Sequence, residues 1–308
     1  MKKAIITGPT GAIGIALIQT LMEYGVEVTA VCHCGSSRIS RIPVSDKVRI
    51  VECDLNQVKS LPEILEHDYE VCYHFAWACT FGDSRNNIDA QLKNIQYTID
   101  VVEVAKALGC RRFIGAGSQA EYGRYEGVLD DETPAFPENG YGIAKLCAGQ
   151  LSRIRCEQLV VDHIWTRILS VYGPCDGENT LVMSMIAQLL KGEKPSCTKG
   201  EQIWDYVYSK DAANAFYLLA NQGKSGKIYC IGSGKGAPLA EYIKVIRDCV
   251  DPAQEIGFGE VPYGEKQVMH LCADINDLTK DTGFYPTYSF ERGIKETIAW
   301  VRQMGEKN

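Results

Sequence analysis

The sequence predicts an α/β protein built on a doubly wound parallel sheet, and three observations point there. Short β-rich runs alternate with helix-like segments through the first half of the 308-residue chain. A glycine-rich turn, Thr7-Gly8-Pro9-Thr10-Gly11-Ala12-Ile13-Gly14, follows the first of those runs and opens a helix. After Tyr172-Gly173-Pro174 the alternation weakens, which marks off a smaller, irregular C-terminal part. Strands that alternate with helices are joined by right-handed crossovers and therefore lie parallel.

The β runs of the first half are Lys3–Thr7 and residues 26–32, 48–53, 70–74 and 112–116, each apolar and bounded by turn residues. Residues 13–24 and 61–66 read as helical. A long helix is predicted over 87–108, where Ile88, Leu92, Ile95, Ile99, Val102 and Ala105 recur at spacings of three and four. Gly109 supplies its stop. A loop over 122–139 holds Pro134, Pro137 and several carboxylates, and a helix over 140–158 follows. Residues 160–167 read as a strand. Beyond it come helices at Leu181–Leu190, 210–221, Leu239–Val250 and 290–302, with β runs at 203–207 and Ile228–Ile231. The expected division is a dinucleotide-binding part over 1–174, to which later segments return, and a mainly substrate-binding part over 175–308. There is no internal repeat and no clean linker, so the two parts are expected to pack tightly.

Composition excludes several function classes. A hydrophobic content of 45% is ordinary for a globular protein. The formal net charge of -7 argues against a nucleic-acid partner, which needs a basic field. No apolar run reaches the roughly 18 residues that span a bilayer, and the opening Met1-Lys2-Lys3-Ala4-Ile5-Ile6 is too short for a signal core. No membrane partner and a cytoplasmic location are the expectation. The thirteen cysteines are scattered through apolar segments, as reduced cytosolic thiols are. Cys32-His33-Cys34 has no second ligand pair at a suitable spacing, so no metal site is expected.

The glycine turn is spaced G-x-x-G-x-x-G. In a strand–turn–helix context it suits a pyrophosphate, because glycine lets the backbone approach and the helix amides then bind the anion. No Gly-Lys-Ser/Thr ending follows, which excludes a P-loop. A carboxylate after the second strand would favour NAD. That stretch instead reads Val31-Cys32-His33-Cys34-Gly35-Ser36-Ser37-Arg38, with Arg41 just beyond, and leans toward NADP.

Tyr141 and Lys145 stand four positions apart on one helix face. An ammonium there is expected to favour ionisation of a phenol whose free pKa is about 10. With the Ser118 hydroxyl alongside, the set would move a proton on and off a carbinol oxygen.

Taken in order, residues 7–14, Asp54-Leu55, His74-Phe75-Ala76, Asn94, Ser118 to Gly123, Tyr141 to Lys145, Arg167 to Pro174 and Trp204-Asp205-Tyr206-Val207-Tyr208 before Asp211-Ala212-Ala213 carry a resemblance. Over nearly its whole length the chain resembles the extended short-chain dehydrogenase/reductases, specifically the NAD(P)-dependent nucleotide-sugar epimerase/dehydratase/reductase family. The resemblance implies a Rossmann domain for the cofactor and a small, irregular C-terminal part for a nucleotide-sugar substrate. It implies cofactor contacts from Gly8, Thr10, Gly11, Ala12, Ile13, Gly14, Arg38 and Asn94. Asp54 and Leu55 would lie by the adenine, and Phe75 and Ala76 by the diphosphate and ribose. Tyr141 would transfer the proton, Lys145 would bind the nicotinamide ribose, and Ser118 would hold the reacting oxygen. Thr80, Ser118, Gln119, Ser170 and Trp204 would meet the substrate.

Departures from the family narrow the chemistry. The 4,6-dehydratases carry an Asp-Glu pair where this chain has Gln119 and Ala120, which disfavours dehydration. Glu121 stands one place further and would point to the opposite face of a continuing strand. Ser170 replaces an asparagine and Trp204 an arginine found in many relatives. The expected activity is redox chemistry at C4 of a nucleotide-linked hexose, with 4-epimerisation ahead of an NADPH-dependent 4-keto-sugar reductase. A non-catalytic dinucleotide-binding regulator and a family member acting on a non-sugar carbonyl compound are the other readings. The resemblance also implies a homodimer formed through 87–108 and 140–158, with Leu151, Ile154 and Leu159 as candidate contacts.

Overall fold

The computed structural model describes residues 1–305 of the chain. Its centre is a sheet of seven strands: β1 (Lys3–Thr7), β2 (Glu27–Cys32), β3 (Val48–Glu52), β4 (Val71–His74), β5 (Arg112–Ser118), β6 (Asp162–Ile168) and β7 (Ile228–Ile231). Their spatial order is β7-β6-β5-β4-β1-β2-β3, and every neighbouring pair is parallel. The chain winds outward in both directions from β1, which lies between β2 and β4. That reversal leaves a crevice beyond the carboxyl ends of the strands, where open α/β sheets bind their ligands.

Both faces of the sheet are buried, which is why the strands read as continuous apolar runs. Ala4 and Ile6 of β1 face one cluster, with α1 (Ala12–Glu23) and α5 (Ser209–Gln222) over it. Ile5 between them faces the other, covered by α2 (Ile88–Ala107) and α3 (Gly140–Leu159). Most of the cysteines are buried as free thiols among these apolar groups. Asn87 caps α2 by accepting from the Ala90 N–H at 3.1 Å. Gly109 ends that helix with φ +87°, where a Cβ would lie 2.6 Å from the His67 carbonyl oxygen.

The C-terminal part has its own apolar cluster, built from α4 (Leu181–Leu190), α6 (Leu239–Val250) and α7 (Phe290–Gly305). The division at 174 is not a cut between separate bodies. Residues 209–231 return to the large sheet, α5 packing on α1 and β7 forming the sheet edge beside β6.

The run 203–207 differs from the single strand expected. Ile203–Trp204 joins a small sheet with His270–Ala273, whereas Tyr206–Tyr208 pairs with Ser170–Tyr172. Asp205 between them is wholly buried and accepts from the Ser233, Gly234 and Ala273 amides. Those contacts turn the chain from one sheet to the other, and no periodicity records them. The loop over 122–139 likewise contains a two-residue strand, Val128–Leu129, paired with His270–Ala273. Among the described residues no helix is long and apolar enough to cross a membrane, and no cluster of ligating side chains suits a metal ion.

Candidate active site

The glycine turn closes directly over the end of β1. Gly8 has φ +70°, and a Cβ there would lie 2.5 Å from the Ala76 nitrogen. A Cβ at Gly14 would run into the Pro9 carbonyl. Gly11, by contrast, faces open space. It is the N-cap of α1, whose first turn carries no side-chain cap and no acidic residue. The helix amides and the positive end of the helix dipole are therefore open to an anion.

A groove runs past this turn in two compartments. One, of about 510 Å³, is lined by Thr10, Cys32, His33, Asp54, Leu55 and Ala76, among others. The other, of about 380 Å³, holds Gly11, Phe75, Thr80, Ser118, Tyr141 and Lys145. Gly8 and Trp77 border both. An elongated ligand with an anionic centre fits this shape, so the residues present suit a dinucleotide. A larger cavity of about 550 Å³ lies on the outer side of α1, between Arg41, Lys210 and Trp300. Ser118, Tyr141 and Lys145 do not line it.

Three elements bring Ser118, Tyr141 and Lys145 together. Ser118 ends β5 and caps the 3-10 turn Gln119–Glu121, its hydroxyl accepting from the Ala120 N–H at 3.1 Å. The Glu121 carboxylate reaches back to the Ser118 N–H at 2.8 Å, completing a capping box. Asn139 caps α3 by accepting from the Gly142 N–H at 2.9 Å. Gly142 is needed because any larger residue would run into the Ala120 carbonyl. The first turn of α3 is thereby docked against the turn that carries Ser118, with Tyr141 and Lys145 on its face.

The electrostatics differ from the sequence expectation. Lys145 is buried, donates to the Ala116 carbonyl at 2.5 Å and lies 3.7 Å from the Trp77 ring centroid. Burial pulls its pKa down to about 7. Tyr141 is pushed above the usual phenol value, chiefly by burial; the Ser118 hydroxyl and the Arg85 guanidinium act in the opposite direction. The Arg85 guanidinium, which opposes this rise, lies closer to the Tyr141 ring centroid than the Lys145 ammonium does, at 4.6 Å against 5.8 Å. The reason is geometric, since the Lys145 ammonium is turned toward Ala116 and Trp77.

Of the other residues singled out from the sequence, Ala12, Ile13 and Gly14 line the groove. Five do not. Arg38 lies on an exposed 3-10 turn, where its N–H donates to the Ser36 hydroxyl, and Arg41 donates to the Cys175 carbonyl. Asn94 is buried and clamps the loop after β4, bonding the Ala78 N–H at 3.1 Å and its carbonyl at 2.9 Å. Ser170 and Trp204 bond each other, the indole N–H donating to the hydroxyl at 2.7 Å. Gln119 is outside the groove lining. Glu121 does point away from the groove, through a 3-10 turn in place of the expected strand. It is wholly buried, accepting from Arg167 Nε at 2.9 Å and Trp165 Nε1 at 3.0 Å. Burial raises its pKa and the guanidinium opposes that rise.

Trp77, Tyr97 and Arg85 were not picked out by the sequence. A tryptophan directly after His74-Phe75-Ala76 was the one available signal. Arg85 lies in a stretch with no periodicity, and Tyr97 reads as one more position on a helix.

The family model described as "NAD dependent epimerase/dehydratase family" matches residues 4–232. The CDP-abequose synthase of Salmonella muenchen is 24% identical over 306 residues, covering 97% of each chain. The dTDP-D-glucose 4,6-dehydratase of Mus musculus is 25% identical over 325 residues, covering 98% of this chain and 89% of its own. Among solved structures, the UDP-N-acetylglucosamine 4-epimerase of Methanobrevibacter ruminantium M1 superposes with a TM-score of 0.90 at 23% identity, over 98% of this chain and 99% of that one. With its crevice, its glycine turn and this match over most of its length, the chain belongs to the NAD dependent epimerase/dehydratase family.

Proposed function

We propose that the protein is a nucleotide-sugar 4-epimerase that acts through reversible oxidation at C4 of the hexose. The observation that carries this reading is the convergence of Ser118, Tyr141 and Lys145 on one compartment, continuous with the glycine turn. Residues 8–14, Asp54, Leu55, Phe75 and Ala76 would hold a nicotinamide dinucleotide, which would supply the hydride acceptor and donor. Tyr141 takes the C4 hydroxyl proton and returns it to the oxygen when the sugar is reduced again. The Ser118 hydroxyl hydrogen-bonds that oxygen through both steps. Lys145 lies beside them, its ammonium held by the Ala116 carbonyl. Elimination of water needs a further acid-base pair, and the positions after Ser118 offer Gln119, Ala120 and a Glu121 committed to Arg167. This supports epimerisation over 4,6-dehydration.

Against the NADP lean of residues 31–41, other observations favour NAD. The loop after β2 is flanked by two carboxylates, Glu52 accepting from the Gly35 N–H at 2.6 Å and Asp54 from the Cys34 N–H at 3.0 Å. The Cys34 N–H and His33 hold the Asp54 carboxyl below its usual range, so it is ionised at neutral pH. A 2′-phosphate in that position meets like charge, and neither Arg38 nor Arg41 lines the compartment. We also propose a homodimer, because Ile88 and Leu92 of α2 and Ile143, Leu151 and Ile154 of α3 are exposed on two helices that pack side by side. Leu159 is not part of this surface, since it packs onto the sheet.

Mass spectrometry of the purified protein after denaturation tests the reading. Released NAD in near-stoichiometric amount is expected, because an epimerase recycles its cofactor within one active site. A protein that is empty, and that binds NADPH but not NAD, would replace it with the 4-keto-sugar reductase.

A further inference from the structure

Four side chains at the catalytic end of the groove form a continuous stack of alternating cations and rings. Lys145 Nζ lies 3.7 Å from the Trp77 centroid. The Trp77 and Tyr141 rings meet edge to face at 6.2 Å, and Arg85 Cζ lies 4.6 Å from the Tyr141 centroid. The Lys145 ammonium is farther from that ring, at 5.8 Å.

Arg85 is held in place by its backbone. It belongs to the 3-10 turn Gly82–Asn86, and its carbonyl accepts from Gln91 Nε2 at 3.3 Å. The next residue, Asn86, accepts from the Gly140 N–H at 2.9 Å. That bond ties the turn to the residue immediately before Tyr141. The Arg85 Nε is buried without a hydrogen-bond partner, so the guanidinium is committed to the ring face and not to a carboxylate fork. A guanidinium also stays charged at every working pH, whereas a buried amine does not.

We propose that Arg85 is a positioning residue for proton transfer, its guanidinium supplying the permanent positive charge that stabilises the Tyr141 phenolate. The inference rests on the reading that Tyr141 moves the proton. The other groups around the phenol are the Ser118 hydroxyl at the end of β5, Glu121 on the following turn, and Lys145 and Trp77. Glu121 works against ionisation, and the Ser118 hydroxyl and Arg85 work for it. Of those two, only Arg85 carries charge.

The test replaces tyrosine by difluorotyrosine throughout the cofactor-free protein, which brings phenol titration into an accessible pH range. The Tyr141 signal in the fluorine NMR spectrum is the one missing from the Tyr141→Phe protein. In Arg85→Gln the Tyr141 midpoint is expected to rise by about one to three pH units, with Arg85→Met behaving alike and Arg85→Lys recovering part of the shift. In the unlabelled, cofactor-loaded enzyme the acid limb of kcat moves the same way, while KM stays near its original value. A midpoint unmoved in both Arg85→Gln and Arg85→Met, or an Arg85→Lys protein no different from Arg85→Gln, overturns the proposal. Failure of the catalytic reading itself is seen separately, as full turnover by Tyr141→Phe.

Discussion

Lys145 is the residue whose environment departs furthest from what its type suggests. An exposed lysine titrates near 10.5, and this one titrates near 7 because its ammonium is buried. The folded pKa lies below the unfolded one, so the unfolded chain binds more protons between pH 7 and about 10.5. Folding therefore carries a penalty that is complete below pH 7 and disappears as pH rises to about 10.5. Lys145→Met removes the penalty. The cofactor-free variant is expected to be more stable than the parent at pH 6, by on the order of 2–4 kcal/mol, with the difference closing by pH 10. Urea unfolding at the two pH values checks this. The residue scale was partly legible in the sequence. Ser118, Tyr141 and Lys145 could be found because helix spacing and strand ends fix where such groups point. Arg85 and Trp77 could not, since the path of the loop after β4 is set by Asn94 and Gln91 side chains bonding its backbone and by Asn86, which accepts from the Gly140 N–H of α3.

At the scale of elements, α2 and α3 do two jobs. Their inner faces bury Val101, Val102, Ala105, Ala148 and Cys156 against the sheet. Their outer faces leave Ile88, Leu92, Ile143, Leu151 and Ile154 exposed. Leu92→Arg combined with Ile154→Glu is expected to convert a dimer to a monomer in light scattering at micromolar concentration, without lowering the melting temperature of the monomer fold. A parent protein that is already monomeric contradicts the homodimer. The helices were readable because apolar residues recur at helical spacing over long stretches. Which apolar positions stay exposed was less readable, as Leu159 shows: it continues the apolar series of α3 but sits where the chain turns back to the sheet at Val160, whose φ is +55°. The interrupted strand at Asp205 was unreadable for a related reason. A single buried carboxylate that gathers amides from a distant loop and a distant strand end leaves no periodic trace.

For the whole molecule, the sheet and its crevice follow from the alternation of strand and helix, and the glycine turn locates the cofactor end of that crevice. The return of residues 209–231 brings a helix onto α1 and a strand onto the sheet edge. The alternation gives only its outline, because the intervening segment is irregular. The account as a whole depends on the Tyr141 phenol exchanging a proton with a sugar oxygen in that crevice. The direct measurement is turnover of a panel of nucleotide hexoses deuterated at C4, followed by NMR, with the parent protein and Tyr141→Phe side by side. The account predicts a C4 epimer that retains its deuterium, and a rate lowered by about 10²- to 10⁴-fold in Tyr141→Phe. Equal rates in the two proteins would contradict it.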